Sequence, residues 1–93
     1  MAQWTFLTNH AQVLLAIAEN DRLTAKEIAA HVGITERAVQ RIIDDLDAAG
    51  YITRHRDGRK NRYTVDAERP MRHPAQHGHA VRDLLALLSS PES

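Results

Sequence analysis

The sequence predicts a small, mainly α-helical fold with one antiparallel β-hairpin. Three observations predict it: apolar residues recur at helical spacing in several segments, capping residues and glycines separate those segments, and the period changes to two residues beyond Gly50. A chain of 93 residues has room for one domain with a small core. The expected order is helix, strand, helix, helix, strand, strand, helix.

The first helix is predicted over residues 9–20, where Val13, Leu14 and Ile17 fall on one face. Thr8 or Asn9 can be its N-cap, because either side-chain oxygen can accept a hydrogen bond from an unpaired backbone N–H of the first turn. A short extended piece at Leu23 is expected to follow.

A second helix over residues 25–31 is predicted from its ends. Thr24 and Glu27 have the spacing of a capping box, in which each side chain bonds to the backbone N–H of the other residue. Gly33 stands where a helix favours a left-handed closing residue. The helix is therefore expected to end in a tight turn.

The third helix is predicted from the cap Thr35 to about Ala49, with Gly50 closing it. At 100° per residue, Val39 and Ile43 lie on an apolar face and Arg41 lies opposite them. This helix therefore has a buried side and a charged outer stripe.

Alternation of apolar and polar residues predicts two strands over residues 51–56 and 62–65, around the turn dipeptide Asp57-Gly58. With that dipeptide as a two-residue loop, three cross-strand pairs follow: Ile52 with Tyr63, Arg54 with Asn61, and Arg56 with Arg59. A longer turn through Asn61 would shift this register. Facing arginines would repel each other, and a bound polyanion would relieve that repulsion.

A polar connector over residues 66–74 separates the hairpin from a last helix, predicted over residues 75–88 before a stop at residues 89–91. Val81, Leu84 and Leu88 form an apolar stripe on this helix. Because so short a helix is marginal alone in water, the stripe is expected to pack against another surface.

Composition and missing motifs exclude several classes of protein. The 12 basic and 12 acidic residues give a net charge of zero, but five cations lie between residues 54 and 62, and four acids lie in the third helix. There is no cysteine, glycine-rich phosphate loop, catalytic motif, membrane span or secretory signal, so we expect a cytoplasmic protein that is no enzyme and has no cofactor. His73, His77 and His79 suggest a metal site, but no acidic residue or cysteine stands next to them, and we expect none.

Two helices joined by a glycine-containing turn and followed by a basic hairpin are the pattern of a winged helix-turn-helix. Residues 25–43 and 46–52 resemble the winged helix-turn-helix regulators of bacteria and archaea, in particular the short MarR-like and ArsR-like proteins. The likeness covers about residues 8–66. It implies a DNA-binding domain with a short N-terminal arm over residues 1–66, followed by a connector and a dimerising helix over residues 67–93.

This resemblance implies a transcriptional regulator that binds double-stranded DNA in a sequence-specific way. The recognition helix, residues 35–49, would lie in the major groove, and the hairpin or wing, residues 51–65, would touch the backbone or minor groove. Groove contacts are assigned to Thr35, Glu36, Arg37, Gln40 and Arg41. Wing contacts are assigned to Arg54, Arg56, Arg59, Lys60 and Arg62.

Two alternatives stay open for these residues. Arg41 could instead form a surface salt bridge with Asp44 or Asp45 at helical spacing. The whole domain could also be a protein-interaction module that docks through the same basic face without touching DNA.

A homodimer is the expected assembly, because flanking helices form dimers in the family that the chain resembles. The candidate dimer surface consists of Trp4, Val81, Leu84 and Leu88. The chain departs from larger MarR-like proteins in having one short C-terminal helix, which leaves little room for their effector pocket. The residues themselves identify no effector and no operator sequence.

Overall fold

Three helices precede a two-stranded antiparallel hairpin, and a short fourth helix follows it, in the computed structural model, which describes residues 4–88. The elements are α1 (Asn9–Glu19), α2 (Ala25–Val32), α3 (Glu36–Ala48), β1 (Ile52–Asp57), β2 (Lys60–Val65) and α4 (Val81–Leu88). This order confirms the mainly helical winged fold. The stop predicted at residues 89–91 lies outside the described residues.

Threonine caps begin the three helices of the first half. The Thr8 and Thr35 hydroxyls accept hydrogen bonds from the backbone N–H groups of the first turns of α1 and α3, at 3.2 and 3.0 Å. The predicted capping box is present, since Thr24 accepts from the Glu27 N–H at 3.1 Å and donates its own N–H to the Glu27 carboxylate at 2.8 Å. That bond from the Thr24 backbone is the main cause that lowers the pKa of Glu27, and the positive charge of Lys60 adds to it.

A tight turn joins α2 to α3 and sets the angle between them. Gly33 adopts φ +87°, a left-handed conformation that costs residues with a Cβ considerably more than glycine. The backbone N–H groups of Gly33 and Ile34 both donate to the Ala29 carbonyl, at 2.8 and 3.1 Å. Only three residues therefore separate the end of α2 from the start of α3.

The core lies where α1, α2 and α3 pack against one another, with the hairpin and α4 closing its sides. Ile17, Ile28 and Ile43 each contribute a fully buried side chain from a different helix. Ile52 adds one from β1, and Val81 closes the core from α4 with 3% exposure. The apolar faces predicted from helical spacing are the buried ones.

The hairpin forms with a different register from the predicted one. Its two-residue loop is Gly58-Arg59, so Asp57 pairs with Lys60, Arg54 with Tyr63, and Arg56 with Asn61. Gly58 has φ +66°, which matches the requirement of a primed hairpin turn for a positive φ at its first loop position. The prediction of Arg56 facing Arg59 was therefore wrong, and no cross-strand repulsion of that pair exists.

The strand predicted at Leu23 is absent from residues 4–88, whose two strands both belong to the hairpin. Leu23 instead lies in the loop between α1 and α2, half-buried against the core, with its N–H bonded to the Asn20 carbonyl at 3.3 Å. An ion pair links this loop to the hairpin, since Arg62 of β2 lies 3.3 Å from the Asp21 carboxylate.

Helix α4 begins at Val81, six residues later than predicted. The preceding segment contains a 3-10 turn at Pro74–Gln76 and then Gly78, a residue type that disfavours helix interiors. Backbone bonds to the connector compete with helix formation there: Met71 N–H donates to the His79 carbonyl at 3.0 Å, and Val81 N–H to that of Arg69 at 2.9 Å. Across residues 4–88, no helix has the length and apolar character needed to cross a membrane.

Candidate nucleic-acid interface

The first turns of α3 present a polar stripe on the side of the helix that faces away from the core. Arg37, Gln40 and Arg41 are exposed there, while Val39 and Ile43 of the same helix are fully buried. Within residues 4–88, no hydrogen bond or ion pair engages the side chains of Arg37, Gln40 or Arg41. Their donors therefore remain available to an external partner.

The acids in the second half of α3 have partners elsewhere in the fold. Arg54 of β1 donates to Asp44 at 2.9 Å and to Asp47 at 3.3 Å. Asp45, on the other flank of the helix, lies 2.9 Å from the His10 ring nitrogen of α1. The alternative in which Arg41 forms a salt bridge with Asp44 or Asp45 is therefore not realised.

A polar groove of about 240 Å³ runs between the first turn of α2, the first turns of α3 and the tip of the hairpin. The cations of its lining come from two sides, Lys26 from α2 and Arg59 and Lys60 from the hairpin. The α3 side contributes Glu36 and Gln40, an acid and an amide. Lys26 was not among the predicted contacts. The capping box could have indicated it, since Thr24 fixes Lys26 in the first turn of α2, the helix that precedes α3.

The five predicted wing cations divide into two groups. Arg56, Arg59 and Lys60 lie at the exposed tip, where Arg56 Nε donates to the Gly58 carbonyl at 3.2 Å. Arg54 and Arg62 instead turn toward the body of the domain and form ion pairs with acids of α3 and of the α1–α2 loop. The structure thus brings Arg59 and Lys60 into one groove with the first turns of α3, and it holds Arg54 and Arg62 in internal ion pairs.

The four residues of the candidate dimer surface do not share one environment. Val81 belongs to the core, Leu84 is half-buried, and Leu88 and Trp4 are exposed. Trp4 packs edge-on against Phe6, with ring centroids 5.1 Å apart, and neither ring is buried. Phe6 and Leu87 are also exposed, at 91% and 78%.

His73 and His79, which precede α4, have separate local contacts. The Nδ1 atom of His73 accepts the Ala75 N–H at 3.0 Å, and His79 lies 3.1 Å from the Asp83 carboxylate. In the part of the chain that the structure describes, no three His, Cys, Asp or Glu side chains are grouped so that they could hold a metal ion.

Solved structures share this architecture. A MarR family protein of Mycobacterium tuberculosis in complex with salicylic acid matches at 28% identity and a TM-score of 0.54, over 66% of this chain and 48% of the other. MepR, a transcription regulator of the Staphylococcus aureus multidrug efflux pump MepA, matches at 17% identity and a TM-score of 0.60, over 86% of this chain and 56% of the other. The chain thus spans about half the length of these proteins.

A comparison with curated protein sequences finds no match. The model of the MarR family, whose members are DNA-binding transcription regulators rather than enzymes, matches residues 5–62. That match runs from the N-terminal arm through the three core helices and into β2. The chain therefore belongs to the MarR family.

Proposed function

We propose that this chain is a transcriptional regulator that binds double-stranded DNA in a sequence-specific way and lacks catalytic activity. In this proposal α3 enters the major groove, and the hairpin tip contacts the backbone or the minor groove. One observation carries the proposal: Arg37, Gln40 and Arg41 are exposed and unpaired within the described chain, whereas the acids of the same helix are engaged by Arg54 and His10. A cytoplasmic location goes with this function.

In this proposal some side chains contact base edges and others contact phosphates. Arginine can bind guanine through two parallel hydrogen bonds, and glutamine can bind adenine in the same way, so Arg37, Arg41 and Gln40 read base edges. Thr35 and Glu36 lie where α3 begins, within reach of the DNA major groove that α3 enters. Arg56, Arg59, Lys60 and Lys26 supply charge for phosphates, which positions the protein on the duplex without reading sequence.

A titration of mixed-sequence duplex at several salt concentrations tests the proposal. If a dimer neutralises six to eight phosphates, log K falls against log salt with a slope of roughly −5 to −7. Absence of binding at about 50 mM salt would contradict DNA binding and favour a protein-docking module, because the phosphate contribution is strong at such ionic strength.

Removing charge at the hairpin tip should flatten this salt dependence. Arg59→Gln is expected to weaken binding to all duplexes alike and to reduce the magnitude of the slope by about one unit per protomer. Arg72→Gln is the matched control, because Arg72 is an exposed arginine of the connector outside the groove. An unchanged slope in Arg59→Gln would remove Arg59 from the phosphate contacts.

We also propose a homodimer in which α4 and the N-terminal arm provide the interface, with the connector of residues 66–74 outside it. Trp4, Phe6 and Leu87 are 74%, 91% and 78% exposed. Contact of apolar side chains with water is unfavourable, and a second copy would cover them. A two-fold dimer would read an inverted repeat with half-sites about 34 Å apart.

Sedimentation at increasing concentration checks the dimer. Wild type should associate, and Leu87→Glu should stay monomeric because a buried charge without a partner opposes association. Ala30→Glu, at an exposed position of α2, is the control that should still associate. A wild-type chain that remains monomeric at every concentration would contradict this assembly.

A further inference from the structure

Arg54 is the least exposed side chain in the ion pairs of residues 4–88, at 32%. It lies in the middle of β1, where its strand partner is the buried Tyr63. A single nitrogen, Nη2, bridges the carboxylates of Asp44 and Asp47 on α3. This arrangement joins the hairpin to the recognition helix through charge.

The two acids stand close to the proposed reading face. Asp44 is exposed and follows Gln40 by four residues and Arg41 by three, so the three side chains are neighbours on the helix surface. Without a counterion, two negative charges there would repel the phosphates on either side of the major groove. The hydrogen bond to Asp44 is the main cause that raises the pKa of Arg54. A guanidinium is charged at neutral pH in any case, so Arg54 can act as a counterion.

We propose that Arg54 is a positioning residue that acts through Asp44 and Asp47 as their internal counterion, and that it does not contact DNA. The inference rests on the proposed DNA-binding function. It replaces the wing contact that the resemblance assigns to Arg54, because the guanidinium is occupied between two carboxylates rather than directed to the hairpin tip. Arg54 thus allows a recognition helix with four acids to approach a polyanion.

Binding of a mixed-sequence duplex by the full chain, measured against salt, tests this role. Arg54→Gln should weaken binding roughly tenfold, within the range of couplings in one salt-bridge network. In the Asp44→Asn/Asp47→Asn background, the same Arg54→Gln change should cost less than about twofold, because the charges that it offset are gone. Arg54→Lys, which keeps the charge, should retain most of the affinity.

Asp45→Asn is the matched control. It removes an acid from the same helix, but one that is bonded to His10 instead of Arg54. In the Arg54→Gln background, Asp45→Asn should therefore recover much less affinity than Asp44→Asn/Asp47→Asn does. Equal recovery by both changes would contradict a specific partnership of Arg54 with Asp44 and Asp47.

A direct phosphate contact makes the opposite prediction. Arg54→Gln would then cost the same in the wild-type and Asp44→Asn/Asp47→Asn backgrounds, and it would lower the salt slope by about one unit per protomer. That result would overturn the inference, and the comparison within the Asp44→Asn/Asp47→Asn background decides it even if Arg54→Gln alone is unfolded. Failure of the proposed function is seen separately, as a wild-type chain that does not bind the duplex.

Discussion

Replacing Ile43 by alanine is expected to lower the free energy of unfolding by about 2–5 kcal/mol. Ile43 is fully buried on the inner face of α3, in the core that α1, α2 and α3 share. The substitution removes apolar contacts and leaves a cavity that closely packed neighbours fill only in part. Since small domains have unfolding free energies of about 5–15 kcal/mol, the loss is a large fraction of the total.

Urea unfolding followed by circular dichroism measures this effect, with Ile43→Val as the graded variant at about 1 kcal/mol. Thr53→Ala, at an exposed position of β1, is the surface control and should change stability by no more than about 0.5 kcal/mol. An Ile43→Ala variant as stable as Thr53→Ala would contradict the packing of α3. Because Ile43 and Arg41 lie on opposite faces, the folded fraction of Ile43→Ala should still bind DNA.

The helices of the first half were predictable because the signals that begin and end them are local. Thr24 and Glu27, three residues apart, accept hydrogen bonds from each other's backbone N–H groups at the start of α2, and Gly33 ends that helix. Apolar spacing then identified the buried face, since a small domain has few other surfaces to cover. These elements required no knowledge of distant contacts.

Features that depend on distant contacts were predicted less well. One residue in the placement of the hairpin loop changes every cross-strand pair, and the sequence admits both Asp57-Gly58 and Gly58-Arg59 as loops. The start of α4 depends on backbone bonds between residues 67–71 and 79–82, which no helical pattern reveals. The loop that contains Leu23 is linked to the hairpin by Arg62 and Asp21, 41 residues apart along the chain, which no local pattern reveals.

The ion pairs of the candidate site could not be predicted from sequence spacing either. Sequence spacing offered Asp44 and Asp45 as partners of Arg41, yet the fold gives them to Arg54 and His10. His10 is 35 residues from its partner along the chain, so helical periodicity could not identify the pair. The tertiary structure therefore explains why Arg41 forms no ion pair with these two acids, which its position on the helix alone does not.

Arg41→Ala is expected to cost about 1–3 kcal/mol in binding to a duplex selected from a random pool by the purified protein. The reason is that the variant loses two parallel hydrogen bonds to guanine. In the wild type they come from an arginine that has no partner within residues 4–88. Binding to random duplex should fall much less. The ratio of specific to random affinity, measured at one salt concentration, reports the difference.

Arg72→Ala removes the same charge from the connector and should leave that ratio unchanged. Replacing each guanine of the selected site in turn then locates the contact: one replacement should weaken wild type by about 1–3 kcal/mol and have little further effect on Arg41→Ala. Equal weakening of specific and random duplex by Arg41→Ala would make Arg41 a phosphate contact instead. Sequence reading by α3 would then depend on Arg37 and Gln40.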